Sequence, residues 1–143
     1  MGLPGSGKTT LARSLTDKLQ AAGRSVVWLN ADQTRTEYND WDFSAAGRIR
    51  QAERLQQLAE QANNADFVVC DFVAALQKQR DIFNADTVYW LNTIDAGRYE
   101  DTNAAFEPPN FDYRGMVIST IDHAYWSSYI CSQLTSYENL TAE

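Results

Sequence analysis

The residues best suited to chemistry lie at the start of the chain: Gly2-Leu3-Pro4-Gly5-Ser6-Gly7-Lys8-Thr9 satisfies G-x-x-x-x-G-K-[ST] at every position. Glycines at this spacing let successive backbone N–H groups turn inward on one centre, an arrangement that suits phosphate oxygens. Lys8 would bridge the β- and γ-phosphates, and the Thr9 hydroxyl is a hard oxygen ligand of the kind Mg²⁺ takes. A helix beginning near Lys8 points its positive end, with Thr10, at the same anion. The expected ligand is ATP with Mg²⁺, held by Gly2, Pro4, Gly5, Ser6, Gly7, Lys8, Thr9 and Thr10, with Thr9 on the metal.

Such a loop works only if regular elements hold it. Leu11, Leu15 and Leu19 recur at helical spacing, so Thr10–Ala22 is expected to be a helix ended by Gly23. Ser25–Leu29 reads as a short buried strand. Ser44 is a candidate N-cap for a helix whose apolar stripe is Ile49, Ala52, Leu55, Ala59 and Ala62, stopped at Asn63-Asn64. Phe67–Cys70, Thr87–Leu91 and Met116–Ile118 are further apolar strands. Continuously apolar strands alternating with helices imply a parallel sheet covered on both faces, a three-layer α/β fold. The chain, residues 1–143, has the size of a single domain. A strand ordinarily precedes such a loop, and here only Met1 does. Either that strand lies upstream of this sequence or another segment takes its slot. Residues 92–114 are polar, contain Pro108-Pro109, and read as a long lid-like loop of the kind that carries function.

Twelve Lys and Arg against nineteen Asp and Glu give a net charge of −7, which argues against nucleic acid as a partner. No apolar run approaches the roughly 18 residues that span a bilayer, and no signal peptide precedes the glycine loop, so a cytoplasmic protein without a membrane partner is expected. Cys70 and Cys131 lack metal-ligand spacing and read as reduced structural thiols. His123 has no partner cluster. It, Trp28 and Trp90 are expected to be structural, and for Trp41, in the loop ahead of Phe43, two readings stand: a structural residue or one that borders the substrate pocket.

From Leu29 onward the chain resembles the adenylylsulfate kinase family of the P-loop NTPases. The family's DGDNxR corresponds to Asn30-Ala31-Asp32-Gln33-Thr34-Arg35, its GLN to Glu37-Tyr38-Asn39, its GFS to Asp42-Phe43-Ser44, and its helix-initial DR to Gly47-Arg48. Its SFISPYRKDR corresponds to Asp71-Phe72-Val73-Ala74-Ala75-Leu76-Gln77-Lys78-Gln79-Arg80, and Phe106-Glu107-Pro108-Pro109 echoes its YEPP. The resemblance implies ATP-dependent phosphorylation of the 3′-hydroxyl of adenylylsulfate. It implies Asp32 and Lys8 as catalytic residues, with Asp32, Arg35, Phe43, Arg48, Gln51 and Val73 around the acceptor. Members of the family often pair into dimers, so a homodimer is expected. The residue chemistry agrees: a carboxylate beyond a strand end can orient a hydroxyl, arginines grip anions, and an aromatic face takes a base.

The match has gaps. The first Asp of DGD is Asn30, the SFIS serine is Asp71, and the family's basic lid becomes the shorter, acidic Asn92–Phe106 with Arg98 as its only cation. Arg98 is the candidate lid cation on the nucleotide, with Lys78 and Arg80 approaching from the other side. Two rival readings stay open: a kinase acting on a sugar, nucleoside or other small alcohol, and a nucleotide-binding module without catalysis.

Overall fold

The computed structural model describes residues 1–141, with side-chain surroundings as far as residue 136. Helix α1 (Lys8–Ala21) starts at Gly7, whose φ of 104° puts it in the left-handed region. It ends where Gly23, also left-handed, lets Arg24 N–H bond back to Leu19 O at 3.0 Å. Strand β1 (Val26–Asn30) follows. It runs directly into α2 (Ala31–Tyr38), capped by Asn30 Oδ1, which accepts from Gln33 N at 2.9 Å. Helix α3 (Ala45–Gln61) begins as expected at Ser44, whose hydroxyl accepts from Gly47 N at 3.2 Å. Then come β2 (Phe67–Asp71), α4 (Gln77–Phe83), β3 (Val88–Leu91), α5 (Glu100–Ala105), β4 (Gly115–Ile118) and α6 (His123–Thr141).

Successive residues of one strand feed cores on opposite faces. Val69 packs with Leu11, Leu15 and Leu19 of α1 and Ile130 of α6, whereas the next residue, Cys70, packs with Ala52 and Leu55 of α3. Helices therefore cover both faces, giving the three-layer α/β architecture. Both strand pairs are parallel: β1 with β2, in register Val26↔Phe67 through Asn30↔Asp71, and β3 with β4, in register Val88↔Gly115 through Leu91↔Ile118.

The expected continuous sheet is thus two parallel pairs. Between β2 and β3 lies a cavity of about 830 Å³ lined by Leu11, Leu15, Val69, Tyr89 and Ile130, and only its end reaches Lys8 and Asp71. Met1 stands at that end. Its amino group donates to Tyr89 O at 2.8 Å and its carbonyl accepts from Leu91 N at 2.9 Å, the alternation of a parallel ladder. Met1 therefore pairs beside β3 as a strand residue would, directly ahead of the loop.

Residues 92–114 are not wholly irregular, since α5 lies within them. Neither α5 nor α2 carries an apolar stripe that periodicity could reveal. Cys70 and Cys131 are free, as expected of structural thiols. Among the described residues no helix is long and apolar enough to cross a membrane.

Candidate active site

The phosphate loop is held from three directions. Gly2 N–H bonds Val73 O at 3.3 Å beyond β2, and a Cβ on Gly2 would stand 2.6 Å from Leu91 O. The Thr93 hydroxyl donates to Ser6 O at 2.8 Å. A Cβ on Gly97 would stand 2.9 Å from Pro4 O, and one on Gly7 would stand 2.8 Å from His123 Cε1. The loop thus stays glycine-rich for two reasons: its own left-handed turns, and the close approach of neighbouring segments.

Lys8, at the start of α1, donates to Leu3 O at 3.0 Å across the turn. Burial lowers its pKa from 10.5 to about 8, against the opposing pull of Asp71 and Asp32. The linkage has a definite sign. Between about 8 and 10.5 the unfolded chain binds the extra proton, so the unliganded protein gains stability as pH rises through that window. A polyanion needs the charged lysine, so its binding changes in the opposite direction. Metal-free ATP is expected to bind about tenfold more weakly at pH 9 than at pH 7, with proton uptake visible when titration calorimetry is repeated in two buffers. A pH dependence that persists in Lys8→Ala would assign it to another group, and a flat profile in the starting protein would show that binding does not need the charged lysine.

Around Lys8 lie the tips of β1 and β2. Asp71, buried at the end of β2, accepts from Trp28 Nε1 at 2.6 Å, from Asn30 Nδ2 at 3.0 and 3.2 Å, and from the Thr9 hydroxyl at 3.4 Å. Asn30 Nδ2 also reaches Thr9 Oγ1 at 3.3 Å. Burial raises the Asp71 pKa, while the bonds from Trp28 and Asn30 and the charge of Lys8 oppose the rise. Trp28 is therefore more than core packing: its indole N–H holds a site carboxylate. A carboxylate ending an otherwise apolar strand was the available signal for Asp71.

Asp32 is exposed in the first turn of α2, and its charge acts on both Lys8 and Arg35. Arg35 and Arg48 are both buried. Their guanidinium carbons lie 4.4 and 5.6 Å from the centre of the half-exposed Phe43 ring. Arg35 donates to Asp40 O and Asp42 O at 3.0 and 3.2 Å. Arg48 donates to Phe43 O at 2.9 Å and the Thr102 hydroxyl at 3.2 Å. Burial lowers both guanidinium pKa values below the usual arginine value.

The loop that carries Phe43 is clamped from below. Asp40 accepts from Arg50 and Arg54 at 2.7 and 2.8 Å, and these bonds hold its carboxyl well below the usual range. Gly47 lets α3 come so close that a Cβ there would stand 2.2 Å from Asp42 O. Trp41 is half-exposed, with its ring 6.3 Å from that of Phe43.

The remaining candidates differ in how they are held. Gln51 is buried, donating to Ala31 O at 3.1 Å and accepting from Arg54 at 2.6 Å. Val73 contributes its carbonyl to the start of the phosphate loop. Lys78 is exposed on α4, and Arg98 is exposed with its guanidinium 5.3 Å from the Tyr99 ring. Arg80, expected to assist with charge, is instead a buried clasp on the carbonyls of Ala74, Ala75 and Glu107. His123, expected to be structural, lies against the phosphate loop at Gly7.

Sequence reasoning did not anticipate the docking of the lid-like segment. Thr93 fastens one end to the phosphate loop, Thr102 on α5 meets Arg48 at the other, and Asn103 holds Gly97 by two bonds of 2.8 and 2.9 Å.

Comparison with known proteins bears on the same residues. The family model for adenylylsulphate kinase matches residues 1–89, which include the phosphate loop, the Asp32–Arg48 segment and β2. A probable adenylyl-sulfate kinase of Aeropyrum pernix is 39% identical over 83 residues, a match spanning 57% of this chain and 45% of that protein. A cytidine diphosphoramidate kinase of Campylobacter jejuni is 31% identical over 68 residues, spanning 48% of this chain and 40% of that one. The structure of the Mycobacterium tuberculosis APS kinase in complex with AMPPNP and APS shares the fold, with a TM-score of 0.79 at 19% identity over 95% of this chain and 94% of the other. The chain spans less than half the length of those sequence relatives, but the matched part contains the whole phosphate loop and the arginine–phenylalanine cluster facing it. By these residues and this fold, the chain belongs to the adenylylsulphate kinase family.

Proposed function

We propose that the protein transfers the γ-phosphoryl group of ATP to the ribose 3′-hydroxyl of adenylylsulfate, yielding the 3′-phosphorylated nucleotide in the cytoplasm, with a second copy of the chain as its protein partner. The observation that carries this reading is the place of Asp32 in the first turn of α2, the helix whose cap residue Asn30 reaches Thr9 of the phosphate loop and which carries Arg35 against the Phe43 ring. A carboxylate between a phosphate cradle and an anion-gripping cluster can receive or orient a hydroxyl proton.

In this reading the backbone of Gly2–Gly7 cradles the phosphates and Lys8 neutralises charge that develops on the transferring group. Arg35 and Arg48 grip the phosphosulfate, and Phe43 offers its ring to the adenine. Gln51 and Val73 line the acceptor side, Lys78 or Arg98 adds a cation, and Thr10 adds to the phosphate site. Mg²⁺, when bound, would spread the charge of the β- and γ-oxygens. The Thr9 hydroxyl, a hard oxygen beside the Asp71 carboxylate, fits such an ion.

The test is ADP release with MgATP in the presence and absence of adenylylsulfate. Release that depends on adenylylsulfate supports the reading. ATP binding with no release on adding it overturns the choice of acceptor. The second reading, another phosphorylated or alcohol acceptor, is favoured by the acidic Asn92–Phe106 segment. A panel of nucleoside diphosphate derivatives and sugars in the same assay separates the two.

A further inference from the structure

The anion-gripping end of Arg48 is already occupied by another part of the chain. A guanidinium can hold an anion by two bonds side-on, through Nε and Nη2, or end-on, through Nη1 and Nη2, and both grips include Nη2. In Arg48 that atom faces α5: it donates to the Thr102 hydroxyl at 3.2 Å and lies 3.9 Å from the Asp101 carboxylate. Nε donates to Phe43 O at 2.9 Å, so the side-on grip is committed twice. The main chain of Arg48 is fixed as well, since its carbonyl accepts from Gln79 Nε2 at 2.8 Å. Arg48 and Thr102 are buried, whereas the Asp101 side chain is 67% exposed. Thr102 is a neutral acceptor and Asp101 stands beyond hydrogen-bond distance, so neither satisfies the guanidinium as a bound anion does.

We propose that Thr102 and Asp101 set the acceptor affinity of this site: α5 covers the Nη2 corner of Arg48, and the anionic group of an acceptor takes a two-bond grip only by displacing that cover. The inference rests on the reading of Arg48 as an anion-gripping residue and adds which residues limit the grip. Asp101 acts as a resident carboxylate. It partly compensates Arg48 while the site is empty and repels an anion that approaches the same corner. Thr102 takes up an N–H that the anion needs. A neutral hydroxyl on an acceptor offers Arg48 no more than Thr102 already gives, so the exchange favours an acceptor that brings a sulfate or phosphate group. Both residues act through Arg48 and are positioning residues.

The test uses the full chain with the phosphate loop saturated by a non-hydrolysable ATP analogue, so that added anions meet Arg48 and not the loop. Sulfate alone is the first probe, followed through the Arg48 Nε–H signal by NMR. Adenylylsulfate is the second, titrated by calorimetry. Asp101→Asn should tighten both by about threefold to fivefold at low salt, the scale of an exposed ion pair. That gain should shrink at high salt, which screens Asp101. Thr102→Val keeps the shape of the buried side chain, removes its oxygen, and should tighten both by about fivefold. Thr102→Ser keeps the hydroxyl and should bind as the starting protein does.

Binding that is unchanged or weaker in Asp101→Asn overturns the proposal, as does a gain that Thr102→Ser shares with Thr102→Val. If Thr102→Val fails to fold, Asp101→Asn decides alone, because it alters only an exposed side chain. Sulfate binding that tightens as expected, with adenylylsulfate bound by none of the proteins, upholds the α5 cover and removes adenylylsulfate as the acceptor. Sulfate that moves the Arg48 signal in none of the proteins overturns this inference, and adenylylsulfate-dependent ADP release would then leave the kinase reading standing.

Discussion

Asp32→Asn is expected to slow phosphoryl transfer by about 10²–10⁴-fold, the usual worth of a positioned acid or base. That corresponds to about 3–5 kcal/mol of barrier. The side chain is exposed in the first turn of α2, so the isosteric amide should fold normally. Its charge acts on Lys8 and Arg35, and removing it leaves both cations less compensated. ATP, a polyanion, should therefore bind as tightly or slightly more tightly while turnover collapses. Affinity held or raised while kcat falls is diagnostic, because damage to the loop would weaken binding and turnover together. Steady-state kinetics with an ATP-binding isotherm reads them. A kcat within about threefold of the starting value would remove Asp32 from the chemistry.

Lys8→Ala is the second large effect. Removing a preorganised charge donor typically costs about 10²–10³-fold in kcat, and here the ATP affinity should fall as well. The side chain is half-buried, with its pKa lowered to about 8 by desolvation, so the folded protein bears a cost for the charge. Truncation relieves that cost at the loss of one bond to Leu3 O. The variant should consequently melt no lower than the starting protein. A melting curve and an activity assay on one preparation check both halves. Inactivity with a lowered melting temperature would point to collapse of the loop instead of loss of a catalytic charge.

Much of the frame was legible because its signals are local. Leu11, Leu15 and Leu19 share one helical face, and Ser44 carries its capping hydroxyl at the predicted helix start. The four apolar strands appear within a residue or two of their expected bounds. The phosphate loop is a contiguous motif whose chemistry follows from residue type and order. The short helices α2 and α5 were not legible, because caps and docking hold them in place of an apolar stripe.

Residue type misled wherever a side chain's partner lies far along the chain. Trp28 reads as core until its N–H is seen on Asp71, and Arg80 reads as a free cation until it is found clasping three carbonyls. Arg35 and Arg48 are buried beside the Phe43 ring, and each donates to the loop that carries it, a packing that residue type alone does not announce.

By itself the sequence determined the fold class, the phosphate loop and the order in which Asp32, Arg35, Phe43 and Arg48 follow it, since periodicity, caps and motifs act over a few neighbouring positions. Only the tertiary structure decided that Asn30 and Asp71 stand side by side at Thr9, and that the acidic segment fastens to the loop through Thr93 and to Arg48 through Thr102. These meetings depend on which strands pair, in which register, and on how α5 docks. They are set by burial summed over distant parts of the chain, which no local pattern contains.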